Sequence, residues 1–167
     1  MKIKEPVEKL ESNTEFKEWQ KCNPKSYLVH IFKLVDELNK NIWQIGYYND
    51  SGTITSFILE ESEIKIIPEE KIFQEKKRKV KKLDLGKIKI DLEEALKIAQ
   101  DFQIKEYKGN NPQKIMLILQ NIDGKVLYNI TYITINFNAL NIRIDAIEGN
   151  VVHHDISPFV KFSGKAS

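Results

Sequence analysis

Residues able to do chemistry gather near the end of this 167-residue chain, in the stretch LNIRIDAIEGNVVHHDIS from Leu140 to Ser157. Imidazole beside carboxylate, as in His153-His154-Asp155, is the material of a metal site or a general base. Strand geometry argues against the metal: successive side chains point to opposite faces, so His153 and His154 cannot ligate one ion from the same side. His153 and Asp155 do share a face, but zinc needs three or four converging ligands. The remaining histidine, His30, is flanked by apolar residues, and Cys22 is the only thiol. The expectation is therefore no metal and no cofactor, with the cluster forming a solvated edge whose polar residues discourage strand pairing. Asp145 invites a catalytic reading as well, yet its place before AIEGN suits hydrogen bonding around a turn.

Other chemistries leave less trace. The chain has no G-x-S-x-G, P-loop, G-x-G-x-x-G or H-E-x-x-H motif. Acid-base hydrolysis needs two carboxylates held close, one of them shifted by burial, whereas the acids here fall in turns or beside lysines, as in LEESE and LEEALK. No catalytic residue is assigned and the expectation is that the protein is not an enzyme; a hydrolase with an unrecognised site is the distant alternative. The cations Lys76, Lys77, Arg78, Lys79, Lys81 and Lys82 offer phosphate contacts. No aromatic residues are interleaved to stack on bases, so this run reads first as a solvated linker, with a nucleic-acid-associated factor as the alternative. Tyr128 and Tyr132 share a strand face with Val126, Ile130 and Thr134, a pattern typical of core. Together with Arg143, Asp145, His153 and His154 they make the candidate partner-binding set. Asn129-Ile130-Thr131 matches a glycosylation sequon, but it lies mid-strand.

The elements that position these residues alternate between helix and strand periods. SNTEFKEWQKCNP offers Ser12 and Glu15 at capping-box spacing, then Phe16 and Trp19, with Pro24 as a stop, which predicts a short helix. Strands follow at 26–35, 42–48, 53–59 and 63–67, and Asn49 to Gly52 supplies hairpin chemistry. A basic junction over 74–87 then leads to IDLEEALKIAQDFQ, where Asp91 can cap and Leu92, Ala95, Leu96, Ala99 and Phe102 fall on one helical face. Strands recur at 114–120, 125–137, 140–147 and 150–156, with Asp123-Gly124 as a second hairpin signal.

Composition permits a folded domain and little more. The chain is 41% hydrophobic and 30% charged, and 26 Lys+Arg against 24 Asp+Glu leave a net charge of +2, too small to imply nucleic acid or membrane from the total. No apolar run approaches the roughly 20 residues of a membrane helix, and MKIKEPVEKLESN lacks a signal peptide's apolar core. Cytoplasmic location is the expectation as the sequence stands, envelope or extracellular if an export segment was removed. Helix, Asn-Pro and sheet recur in that order twice, and setting Gly52 over Gly149 places Trp43, Ile45 and Tyr47 over Leu140, Ile142 and Ile144. This suggests an internal duplication, with a β insertion required in the second copy.

IDLEEALKIAQDF, KVLYNITY and LNIRIDAIEGNVV together resemble a PepSY domain: an amphipathic helix rich in Ala and Leu, a YNITY strand, and a hairpin carrying Ile144, Asp145, Ala146, Gly149, Val151 and Val152. The likeness covers about residues 88–157; residues 12–67 would be a divergent copy lacking the Asp-Ala pair. The resemblance implies a small α+β unit, found beside peptidases or in envelope proteins, that regulates proteolysis by binding. The fold expected is thus α+β, two helix-plus-antiparallel-sheet (αβββ) halves over 12–73 and 88–162 packed together. The function expected is a protein- or peptide-binding module, a monomer or weak homodimer, that uses a sheet face or an open edge at EIKII or NVVHHDI.

Overall fold

Period-two patterning dominates the chain, and the computed structural model, which describes residues 2–61, 63–70 and 80–160 without the side chains of 68–70, turns it into eight strands. The order is α1 (Glu5–Ser12), α2 (Thr14–Cys22), β1 (Tyr27–Leu34), β2 (Ile42–Tyr48), β3 (Ile54–Glu60) and β4 (Glu63–Glu70). After a 3-10 turn at Leu85–Lys87 come α3 (Leu92–Glu106), β5 (Pro112–Ile122), β6 (Lys125–Thr134), β7 (Asn138–Asp145) and β8 (Val151–Pro158). All eight strands form one antiparallel sheet in the order β4-β3-β2-β1-β5-β6-β7-β8. The fold is α+β.

Each half is a four-strand meander, and the two meanders join through their first strands, with Ile31 opposite Leu119 and Lys33 opposite Leu117. The expected αβββ halves are corrected in two respects: each half gives four strands to the described sheet, and one sheet runs through both. The Gly52-on-Gly149 superposition set β2 over β7 and so needed an insertion; by order in the meander β2 stands with β6, and no insertion is required. In that matching the β2–β3 turn glycine, Gly52 at φ +82°, has Phe137 at φ +58° as its counterpart between β6 and β7.

Helices pack on one face of the sheet. Val7 and Leu10 of α1, Phe16 of α2 and Leu92, Ala95 and Ala99 of α3 belong to one buried cluster with Ile31, Ile45, Phe57, Leu119, Tyr128 and Ile142 from both halves. Phe16 meets Tyr47 at 4.9 Å and Phe57 at 5.1 Å between ring centroids, in the tilted and edge-on geometries that aromatic quadrupoles favour. Burying one such side chain stabilises the fold by about 1.5–3 kcal/mol.

Two helices replace the one expected at the N-terminus. α1 begins with a proline in its first turn and buries Pro6, Val7 and Leu10, a 3.6-residue pattern readable beforehand in EPVEKLES. The cap of α2 is Asn13, whose Oδ1 accepts from Glu15 N at 2.8 Å. Ser12 donates instead to Lys9 O at the end of α1. Asp91 caps α3 as the sequence suggests, accepting from Leu92 N at 2.8 Å. Asp123 and Gly124 both take positive φ, at 53° and 89°, as a tight hairpin requires.

Candidate functional site: the helix-free face and its edges

Alternation along each strand assigns one set of side chains to the helices and the other to the opposite face, where no described helix packs. Cross-strand registers align that second set in rows. One row crosses the whole sheet: Lys65, Ile58, Gln44, Phe32, Ile118, Asn129, Arg143 and His153 are successive partners from β4 to β8. A neighbouring row runs Leu34, Met116, Thr131, Asn141, Asp155. The two rows are thus apolar at Ile58 of β3, Phe32 and Leu34 of β1 and Met116 and Ile118 of β5, interrupted by Gln44 of β2, and polar over β6, β7 and β8.

At the apolar end Phe32, Leu34, Ile42, Gln44 and Ile58 surround a dimple of about 160 Å³, walled by Lys33 and Asn39. Apolar cavities of about 150 Å³ hold a benzene-sized group, so one large side chain fits. Lys33 holds the wall: its Nζ donates to Asn39 O at 3.0 Å and Lys40 O at 2.7 Å and lies 4.3 Å from the Trp43 ring centroid. Burial lowers its pKa, the carboxylate of Asp36 opposing. Asp36 itself accepts from Asn39 side chain and backbone, which holds its carboxyl below the usual range.

About 15 Å across the sheet, three strand spacings from Phe32, Asn141 Nδ2 donates to Asn129 Oδ1 and to Thr131 Oγ1. There Asn141 Oδ1 and Arg143 Nε are buried without a hydrogen-bond partner. Such atoms normally find partners. His30 also lies on this face, its ring over Gly46, where a Cβ would come within 2.2 Å of the imidazole. Burial lowers the His30 pKa below its ordinary 6.5.

The residues singled out in the sequence separate into distinct settings. His153 and His154 point to opposite faces. His153 Nε2 lies 3.0 Å from Asp155 Oδ1, while His154 Nδ1 lies 2.6 Å from the Tyr107 hydroxyl and packs edge-on against Phe102 at the end of α3. Burial, followed by the Asp155 charge, raises Tyr107. Asp145 serves its turn, accepting from Ile147 N at 2.8 Å and Glu148 N at 3.1 Å. Tyr128 and Tyr132 do not stand on a binding surface, and this is a correction: at 0% and 2% exposure they lie in the core under the helices. Tyr128 donates to Ile90 O at 2.7 Å; burial pushes Tyr132 up to about 12 and Tyr128 higher. Of the basic run, Lys76, Lys77, Arg78 and Lys79 fall outside the described residues, while Lys81 and Lys82 are exposed.

A separate cleft of about 460 Å³ between α1 and residues 82–86 is lined by Glu8, Glu11, Tyr47 and Lys82. Glu11 is engaged there by the Tyr47 hydroxyl at 2.8 Å, a bond that ties α1 to β2; burial and then that carboxylate raise Tyr47 strongly. Among the described residues no three His, Cys, Asp or Glu side chains converge as metal ligands would.

Phe32, Leu34, Met116 and Ile118 were not among the candidates from sequence. A signal for them exists: YLVHIFKL and PQKIMLILQNI are apolar on both alternating faces, which marks a strand with two faces to cover. The edges were legible, since EIKII lies in β4 and NVVHHDI in β8, the two ends of the sheet.

Fold and face together define a single-sheet α+β protein with helices on one side. No protein-family model matches the chain, and comparison with curated proteins finds no match. Among solved structures, the crystal structure of a candidate lipoprotein from Clostridium difficile 630 is similar in fold, with a TM-score of 0.59 and 19% identity over 86% of this chain and 90% of the other. No described helix is long and apolar enough to cross a membrane.

Proposed function

We propose that this chain is a non-enzymatic binding module that takes a protein or peptide partner on the helix-free face of its sheet. The observation that carries the reading is the apolar row centred on Phe32 and Ile118, with a side-chain-sized dimple at one end and the unpaired Arg143 and Asn141 atoms toward the other. A partner placing an apolar side chain in the dimple and a carboxylate beside the Arg143 guanidinium would engage both ends. Pocketed apolar anchors dominate binding energy at such surfaces. The chemistry-bearing side chains have structural employment: Asp145 in its turn, His154 on Tyr107, His30 over Gly46.

The PepSY resemblance of residues 88–157 supplies the class of partner, a peptidase whose activity the module regulates by occupancy, and makes the recurrence of helix and meander a duplication. It also favours an envelope setting, in keeping with the description of the Clostridium difficile protein as a candidate lipoprotein.

Partner capture from extract of the source cells, comparing the native chain with Phe32→Glu and Ile118→Glu, tests the reading. Each substitution should weaken capture by about 30-fold or more, the scale of a hot-spot loss, with the native circular dichroism spectrum retained. Undiminished capture by both variants would sink it. If neutralising Lys76 to Lys82 instead abolishes every interaction, the phosphate-binding alternative gains.

A further inference from the structure

We propose that one end of the sheet rests on a lipid bilayer, with the side chains of Phe137, Ile135, Val160 and Leu38 entering the interfacial layer. Because neighbouring strands run antiparallel, the β1–β2 loop, the β6–β7 turn and the end of β8 all lie at this end, and the turns at 49–53, 123–124 and 146–150 lie at the other. The two ends differ in chemistry. Among the described residues the far turns rely on Asn, Asp and Gly and carry no exposed large apolar side chain, whereas here Leu38 is 93% exposed, Val160 79%, Phe137 71% and Ile135 52%.

Neither packing nor backbone conformation accounts for a phenylalanine at 137. Its φ of +58° is one that a bulky side chain rarely adopts, and by order in the meander the matching turn of the first half places Gly52 there, at φ +82°. A residue both strained and exposed points to a role outside the fold. The turn is also prepared for apolar surroundings. Backbone groups that approach hydrocarbon must be satisfied within the protein, and here Ile135 N donates to Asn111 O, Phe137 N to Thr134 O and Asn138 N to Thr134 Oγ1, at 3.0, 3.0 and 3.1 Å. The Asn136 and Asn138 amides donate to Gly109 O and Asn110 Oδ1, and Phe137 O accepts from Phe159 N at 2.8 Å. These polar groups turn inward while Ile135 and Phe137 turn outward.

A bilayer suits the spacing better than a protein partner does. Leu38 stands about 14 Å from the β6–β7 turn, three strand spacings along the sheet, so a partner would need a separate pocket for each anchor. A bilayer accepts all of them at once. Charge sets the tilt: exposed Lys105, Lys108 and Lys114 flank the second-half side against Glu106 and Asp36, whereas Glu60, Glu61 and Glu63 hold the first-half corner. Anionic headgroups attract the first set and repel the second. The Phe137 corner therefore enters deepest, and Leu38, beside Asp36 and Glu37, stays shallower.

Cosedimentation of the full chain with vesicles of phosphatidylcholine containing a third phosphatidylglycerol tests this. The native chain should bind, and Phe137→Gly should bind about tenfold more weakly, the scale of one aromatic side chain left in water, while its urea midpoint stays level or rises because positive φ suits glycine. A packing role would instead lower both. In a Cys22→Ser background a polarity-sensitive dye on Ile135→Cys should shift to the blue on vesicles, and the same dye on Glu148→Cys, at the opposite end, should not. Lys108→Glu should reduce the preference for these vesicles over pure phosphatidylcholine. No binding at millimolar lipid, equal binding by Phe137→Gly, or a dye shift at Glu148 alone overturns the inference. If Phe137→Gly abolishes self-association or protein capture with vesicle binding unchanged, the patch belongs to a second copy or a protein partner and the inference falls. Phe32 and Ile118, on the sheet face, are untouched by these variants, so partner capture there is judged separately.

Discussion

His30 shows how one residue on the open face couples to the rest. Its ring occupies the space that a side chain at position 46 would need, and the glycine there is what allows an imidazole to lie flat against β2. The resulting burial disfavours the protonated form and lowers the pKa from 6.5. The unfolded chain therefore binds more protons than the folded one between that lowered value and 6.5, and stability falls as pH drops through this window. It is fully present above 6.5 and levels off once the pH is below the folded pKa. Denaturation midpoints followed from neutral to acidic pH should decline for the native chain and decline less for His30→Gln. Identical pH profiles for the two would show that His30 titrates without linkage to folding.

Among elements, the N-terminal pair of helices separates what sequence patterning can and cannot reach. Ser12 and Glu15 have capping-box spacing, yet Asn13 caps α2 and Ser12 closes α1. Two oxygen-bearing residues in succession satisfy the same pattern, and only the direction of the chain between the helices decides which one caps. Asn13→Ala should accordingly cost about 1 kcal/mol and Ser12→Ala no more than about 0.5 kcal/mol, read from urea midpoints; the reverse order would return the cap to Ser12. Alternation made the strands and hairpins legible, because a turn such as Asp123-Gly124 needs positive φ at both positions and few residues accept it. It did not show that β1 and β5 meet, since pairing between strands distant in sequence leaves no local mark. That join brings Phe32 beside Ile118, so the apolar row stayed hidden although the two-faced apolar character of both strands was in view. Tyr128 and Tyr132 were misplaced by their chemistry: a phenol suggests recognition, but the tyrosine face of β6 is the one the helices cover.

For the whole molecule, the decisive feature is that two meanders share one sheet and one core. Trp19 and Trp43 are the only tryptophans, and both pack in the first half, against Phe57 and beneath Lys33. Ile142 is fully buried in β7 of the second half. If the β1–β5 join and the common cluster couple the halves, unfolding is one cooperative transition, and damage in either half is felt in both. Ile142→Ala should remove about 2–5 kcal/mol and lower the midpoint equally by tryptophan fluorescence and by far-ultraviolet circular dichroism. A tryptophan transition left in place while the dichroism midpoint moves would instead mean two units that fold separately and merely abut. The distinction matters for binding, because the apolar row draws Phe32 from one meander and Ile118 from the other. A cooperative sheet keeps them in register without a partner, whereas independent halves would present the row only when a partner held them together.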